Sequence, residues 1–260
     1  MNNTRYRNRI LSRLPAYAWP VVIFSLLFFV LMVWPGLPAA LRLLTGFLFF
    51  ATVICSLWLI YCHRTFAYNS GQLEAKLLAD LPGRLQAERA GDLLDIGTGS
   101  GYLAITFARL FHDFRVIGLL FPESSATGDL DRCYKNAAAE GVKDRVAFTR
   151  GKATDLPFAP ECFDAVISGY AFKDIKNGQD RRVALMEALR VCKTGGSFAF
   201  QDFFGRPELY GDVTELVAGL KAAGLKEIHF VPDLDRADFV PPLIQTTGLL
   251  KGAGLIYGIK

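Results

Sequence analysis

Two long uncharged stretches open the chain. No charged side chain stands between Leu14 and Leu41, and residues 16–34 read AYAWPVVIFSLLFFVLMVW, an apolar run long enough to cross a bilayer core as a helix. A second run, residues 43–62, LLTGFLFFATVICSLWLIYC, follows the turn Pro35-Gly36-Leu37-Pro38, which cannot be helix interior. Two spans joined by so short a loop predict an antiparallel transmembrane hairpin. Trp19, Trp34 and Trp58, with Tyr17 and Tyr61, lie toward the ends of these runs, where aromatic rings anchor at a headgroup boundary.

Beyond Arg64 the pattern becomes that of a globular domain, with short apolar runs alternating with helical periods. Strands are expected at 92–96, 115–120, 145–149, 163–168, 197–201, 226–230 and 255–259, and helices at 71–81, 102–111, 129–140, 180–192 and 212–223. Such alternation predicts a parallel sheet with helices on its faces. Leu185, Met186, Leu189 and Cys192 recur at helical spacing, and Gly195-Gly196 follows as a stop signal.

Charge sharpens this division. The first 64 residues hold six Arg and no acidic residue, which leaves 23 basic against 25 acidic side chains in the rest. The globular part is therefore slightly acidic, and no nucleic-acid partner is expected. Four Arg precede the first span and only Arg42 lies near the inter-span turn, so the positive-inside bias places both ends of the hairpin in the cytoplasm and makes the lipid bilayer a partner. A cleaved signal peptide is disfavoured, because the apolar region is too long and a second full-length run follows it. The five Cys, among them Cys133, Cys162 and Cys192, show neither a disulfide framework nor metal-type spacing. His63 flanks the membrane, and His112 and His229 lie at a helix end and in a strand, where a structural role is the default.

The chemistry-bearing stretch is Asp95-Ile96-Gly97-Thr98-Gly99-Ser100-Gly101-Tyr102, where a buried strand runs through a glycine-rich turn into a helix. Such a turn lets a ligand lie against bare backbone at a helix N-terminus. The dinucleotide fingerprint needs a glycine where Tyr102 stands, which weakens a nicotinamide reading. The D-x-G-x-G-x-G form instead resembles the first motif of class I S-adenosylmethionine-dependent methyltransferases. The resemblance covers about residues 70–260 and includes GVKDRVAFTRGKATDLPF, FDAVIS and ALMEALRVCKTGGSFAFQD. It implies an α/β fold, a Rossmann-like seven-stranded methyltransferase sheet with helices on both faces, over residues 65–260. The N-terminal tail and the transmembrane hairpin occupy residues 1–64.

The resemblance also implies S-adenosyl-L-methionine as cofactor. Asp95, Gly97, Thr98, Gly99 and Gly101 match the loop that borders its methionine and ribose parts. Ser168 and the residues to Phe172 match the segment bordering the transferred methyl, and Asp202 falls at the carboxyl end of the fifth strand. Tyr170, Asp174 and Asp202 are the candidate bases for a weakly nucleophilic acceptor.

Two positions depart from the family. Leu120 stands where an acidic residue ordinarily takes the ribose hydroxyls, and Lys152, before Ala153, stands where Asp ordinarily accepts from the adenine amino group. Losing one charge-assisted acceptor costs about 1.5 to 3 kcal/mol, or roughly ten- to a hundredfold in affinity. Glu123 reaches the ribose only if the backbone bends, while Asp155 replaces the adenine acceptor unless Lys152 simply pairs with Glu123. The segment Ser168-Gly169-Tyr170-Ala171-Phe172 also lacks the Asn-Pro-Pro-Tyr pattern of relatives that methylate amide or exocyclic amino nitrogens. Two functions therefore compete. One is a membrane-anchored methyltransferase for a small hydrophobic or membrane-associated acceptor, such as a lipid, isoprenoid or quinone-like molecule. The other is a non-catalytic methyltransferase-like scaffold that has lost normal cofactor binding.

Overall fold

The computed structural model describes residues 6, 14–66, 72–85, 90–122, 130–175 and 178–260. It divides into two compact units, one of residues Ile10–Leu73 and one of Glu74–Lys260 together with Tyr6.

The smaller unit consists chiefly of α1 (Leu14–Val33) and α2 (Ala39–Phe66). Phe29 packs on Phe49 with ring centroids 5.5 Å apart, and Met32 lies against Gly46, so the two helices run antiparallel. The hydroxyls of Ser25, Thr45, Thr52 and Ser56 donate to carbonyls of their own helix, which satisfies them without water. Among the described residues one helix, α2, is long and apolar enough to cross a membrane. Within α1 the apolar helix among the described residues is Pro20–Val33, so one of the two expected spans, in α2, is supported.

The larger unit begins with α3 (Leu73–Leu78) and α4 (Leu81–Arg84), where one helix over 71–81 was expected. Pro82 explains the break: it lacks an N–H and its ring opposes the carbonyl four residues back, so it sits in the first turn of a new helix. Then follow β1 (Gly91–Ile96), α5 (Tyr102–Leu110), β2 (Phe114–Leu120), α6 (Leu130–Ala139), β3 (Val146–Arg150), β4 (Phe163–Gly169), α7 (Gly178–Val191), β5 (Cys192–Asp202), α8 (Pro207–Tyr210), α9 (Val213–Ala222), β6 (Glu227–Val231), α10 (Pro242–Thr246) and β7 (Gly254–Ile259). The seven strands lie in the order β3-β2-β1-β4-β5-β7-β6.

The sheet is mixed rather than all parallel, because β7 runs antiparallel to both β5 and β6. Strand order reverses between β1 and β4, and a parallel sheet opens a crevice at the carboxyl ends of its strands at such a point. Leu93, Leu94 and Ile96 of β1 are wholly buried, as expected of a central strand covered on both faces. Ala184, Leu185, Ala188 and Leu189 of α7 join Leu94, Ile96, Val166, Phe198 and Phe200 in the main core, which holds the floor of the crevice rigid.

Candidate functional site

The glycine loop spans the β1–α5 junction at this crevice. Gly97, Gly99 and Gly101 have φ of 71°, 60° and 86°, left-handed values that residues with a Cβ adopt at a cost. Thr98 N donates to Leu119 O at 2.8 Å, which ties the loop to β2. From behind, Asn136 Nδ2 donates to Ser100 O at 2.9 Å and Cys133 Sγ to Gly99 O at 3.3 Å. Asp95 is buried below the loop, and its Oδ2 accepts from Ala104 N in the first turn of α5 at 3.1 Å. Its carboxylate thereby complements that N-terminus.

Neighbouring segments close over this loop. A methyl group built on Gly97 would overlap Ala171 Cβ and lie 3.1 Å from the Phe121 ring. Ser168 Oγ donates to Ile96 O at 2.9 Å, so its hydroxyl joins β4 to β1. Leu120 is only 1% exposed, and its carbonyl accepts from Gly151 N at 3.0 Å. Lys152 is exposed, Ala153 is buried, and Asp155 is exposed within the field of Arg190. Glu123 lies outside the described residues.

The three candidate bases are placed very differently. Tyr170 is fully buried at φ 52°, its hydroxyl accepts from Gln201 Nε2 at 2.8 Å, and burial pushes its pKa far up, with Asp202, Glu74 and Asp235 adding to the shift. A phenol so placed stays protonated and cannot serve as a base near neutral pH. Asp174 is exposed and accepts from Lys173 Nζ at 2.7 Å, a surface ion pair beside the site. Asp202 is buried, and its carboxylate accepts from Lys173 N at 3.0 Å and Phe203 N at 2.7 Å.

Burial raises the Asp202 pKa from 3.8 to about 6, against the opposing pull of Lys173 and the two N–H groups. Because the folded value exceeds the unfolded one, the folded protein holds the extra proton. The associated stability is present below the unfolded pKa and is lost as pH rises through the folded one. Asp202→Asn cannot ionise and should escape this loss. The difference in unfolding free energy between it and the wild type should change by about 2 kcal/mol between pH 4 and pH 7. Denaturant melts showing a pH-independent difference would contradict this assignment.

Glu74, Phe121, Gln201 and Asp235 are further residues at this end of the sheet that sequence patterns did not single out. Tyr6 is another, with its ring edge-on to Tyr102 at 5.1 Å. No spacing rule marks them, since they come from separate segments of the chain. A cavity of about 610 Å³ lined by Asp92, Arg115, Arg145, Phe158 and Phe163 opens instead at the amino ends of the strands, away from the glycine loop.

A family profile described as a methyltransferase domain matches residues 94–200, the stretch from β1 through β5 that carries the loop and the switch point. Over those residues the chain resembles a methyltransferase domain. The chain is 34% identical over 171 residues to the 27-O-demethylrifamycin SV methyltransferase of Amycolatopsis mediterranei, covering 64% of this chain and 60% of that protein. It is 28% identical over 178 residues to an O-methyltransferase of Aspergillus nomiae (66% of this chain, 70% of that one). It is 26% identical over 173 residues to the demethylmenaquinone methyltransferase of Roseiflexus castenholzii (63% and 67%). The chain thus spans less than two thirds of the length of the first of these relatives. Together the profile and the relatives support the class I S-adenosylmethionine-dependent methyltransferase family.

Among solved structures, a phosphoethanolamine N-methyltransferase of Haemonchus contortus, in complex with phosphomonomethylethanolamine and S-adenosylhomocysteine, is similar with a TM-score of 0.52 at 17% identity, covering 72% of this chain and 53% of that one. The [4+2]-cyclase SpnF is similar with a TM-score of 0.51 at 18% identity, covering 72% and 79%. These likenesses are of fold, and a fold shared by a methyltransferase and a cyclase does not fix the reaction.

The residues of the glycine loop suit S-adenosylmethionine on one side of the crevice. Three left-handed glycines form a bare-backbone cradle at the N-terminus of α5, and Thr98 Oγ1 is buried without a partner among the described residues. On the nucleoside side, Leu120 offers no acceptor and Lys152 can only donate.

Proposed function

We propose that this chain is a membrane-anchored S-adenosylmethionine-dependent methyltransferase acting on a hydrophobic or membrane-associated acceptor. The observation that carries the reading is the left-handed glycine loop at the β1–β4 switch point of a methyltransferase domain, in a chain that also holds an apolar helix of membrane-spanning length. Anchoring keeps a site close to acceptors confined to a bilayer, and one relative is named for a demethylmenaquinone acceptor. In this proposal α1 is the second span, and the arginines ahead of it keep both ends of the hairpin, and with them the domain, cytoplasmic.

The cofactor, when bound, supplies a sulfonium methyl that is already electrophilic. The chain's own work is positioning. Gly97, Gly99 and Gly101 would hold the amino-acid and ribose parts against backbone, with the α5 N-terminus and the Thr98 hydroxyl beside them. Ser168, bonded to Ile96 O, and Asp95, bonded to Ala104 N, keep the two walls in register.

The burial of Leu120 and the exposure of Lys152 favour a second reading, a non-catalytic domain that keeps the loop for its fold. Calorimetry on the full chain in lipid nanodiscs separates the two. Micromolar binding of S-adenosylmethionine and S-adenosylhomocysteine, abolished by Gly99→Val because a side chain cannot share the left-handed cradle with the ligand, is the expected result. Absence of heat at millimolar ligand would leave the scaffold reading.

A further inference from the structure

The segment after β4 is held by one buried carboxylate. A 3-10 turn, Phe172–Asp174, follows Tyr170 and Ala171 there. The Phe172 ring is fully buried, edge-on to Phe200 at 5.6 Å, which fixes one side of the turn in the core. The backbone of the next residue is held at both ends. Lys173 N donates to Asp202 Oδ2 at 3.0 Å, and Lys173 O accepts from Arg181 Nη2 at 3.5 Å. Arg181, on α7, is only 7% exposed and donates to Leu209 O at 3.2 Å as well. The other oxygen of Asp202, Oδ1, accepts from Phe203 N at 2.7 Å. Both carboxylate oxygens are thus committed to backbone N–H groups, an arrangement that fixes a chain segment rather than one that takes a proton from an acceptor. What the turn carries is a wall of the glycine loop. Asp174 N donates to Ala171 O at 3.1 Å, which makes Ala171 part of the turn, and a methyl group on Gly97 would overlap Ala171 Cβ. A displacement of the turn therefore reaches the loop directly.

We propose that Asp202 is a positioning residue for the cofactor: its ionised carboxylate holds residues 170–175 against the glycine loop, and the cofactor binds the form in which Asp202 has lost its proton. The proposal rests on the methyltransferase reading above and concerns the regulation of that same site. An ionised carboxylate accepts at both oxygens, whereas a carboxylic acid turns one of them into a donor. Protonation of Asp202 therefore leaves Lys173 N or Phe203 N facing an O–H, and a buried N–H without an acceptor drives the segment to rearrange. Burial pushes the Asp202 pKa up to about 6, against the pull of Lys173 and of the two N–H groups, so this change falls just below neutral pH. The other charged and titratable groups acting on this corner are Lys173 and Asp174 of the turn, Tyr210 of α8, and Arg181 of α7, which reaches the turn through Lys173 O. A ligand that binds the ionised form alone lowers the carboxyl pKa. By linkage its affinity is full above the pKa of the free protein and falls as pH drops through it.

The test is calorimetry of S-adenosylhomocysteine on the full chain in nanodiscs at pH 7.5 and pH 5, with empty nanodiscs as blank. Affinity should fall about tenfold at pH 5, where only about one molecule in ten carries an ionised Asp202. Titrations at pH 5 in two buffers of different ionisation enthalpy should show about one proton released per ligand bound. Asp202→Asn, which cannot ionise, should bind with the same affinity at both pH values and release no proton. Equal wild-type affinity at the two pH values, or an Asp202→Asn variant that keeps the tenfold fall, would overturn the positioning role while leaving the methyltransferase reading standing. Absence of binding at both pH values would overturn both. Hydrogen exchange at the Lys173 amide needs only the wild type, so it decides even where the variant does not fold. Relative to the intrinsic rate, protection there should fall about tenfold from pH 7.5 to pH 5 and return when S-adenosylhomocysteine saturates the protein. Protection unchanged by pH would overturn the proposal.

Discussion

Gly97→Ala is expected to lower the stability of the domain by about 2 to 5 kcal/mol. Part of this is backbone strain: at φ 71° an L-residue with a Cβ costs about 1 to 2 kcal/mol relative to glycine. The rest is steric, since the added methyl would overlap Ala171 Cβ and press on the Phe121 ring at 3.1 Å, and overpacking a filled site costs about 1 to 3 kcal/mol. The two parts are separable. Gly97→Ala combined with Ala171→Gly should recover the steric share and retain the backbone share, a coupling measurable by denaturant melts of the four proteins of the cycle. Should Gly97→Ala alone melt like the wild type, the close packing of the loop against the segment after β4 is not as described.

Leu120→Asp carries the second large effect, and it decides between the two readings of the nucleoside side. Leu120 ends β2 and is almost wholly buried, so an aspartate there loses apolar burial and places a carboxylate away from water. The expected cost is roughly 3 to 5 kcal/mol near neutral pH. It should shrink in acid, because a buried carboxyl with a raised pKa is neutral there. Leu120→Met, nearly conserving volume, should cost less than about 1.5 kcal/mol and serves as the control. The alternative outcome is equally informative. A folded Leu120→Asp protein that binds S-adenosylmethionine about ten times more tightly would show that the crevice opens at this residue and lacked only a ribose acceptor.

Much of the fold was legible because its signals are short-range. The strands fall within about a residue of the apolar runs at most ends, since a central strand buried on both faces reads as a continuous hydrophobic segment. β5 is the exception: it starts at Cys192 and runs through Gly195-Gly196, which the sequence marks only as a helix stop. The break between α3 and α4 was also written in the chain, in Pro82, but was overridden by the helical spacing around it. The direction of β7 had no such signal, because the same apolar pattern suits a parallel or an antiparallel neighbour.

The candidate site was legible only in part. Asp95, Gly97, Gly99 and Gly101 stand in one heptapeptide, and their geometry follows from local backbone rules. Asp174 shares a segment with Tyr170, yet it turns to solvent and Lys173 while Tyr170 turns inward, and burial alone separates their chemistry. Asp155, a substitute adenine acceptor on sequence distance, is exposed beside Lys152, with which it forms a β-bridge.

The sequence by itself determined the apolar helix of membrane-spanning length, the strand-and-helix alternation, and the left-handed glycine turn between β1 and α5. Each depends on residues adjacent or a few positions apart, where spacing and backbone sterics suffice. Only the tertiary structure decided that Leu120 is buried, that Ser168 spends its hydroxyl on Ile96, and that the Gln201 amide donates to the Tyr170 hydroxyl. Those outcomes depend on contacts between segments tens of residues apart, which form only when the sheet brings the ends of β1, β4, β5 and β7 side by side.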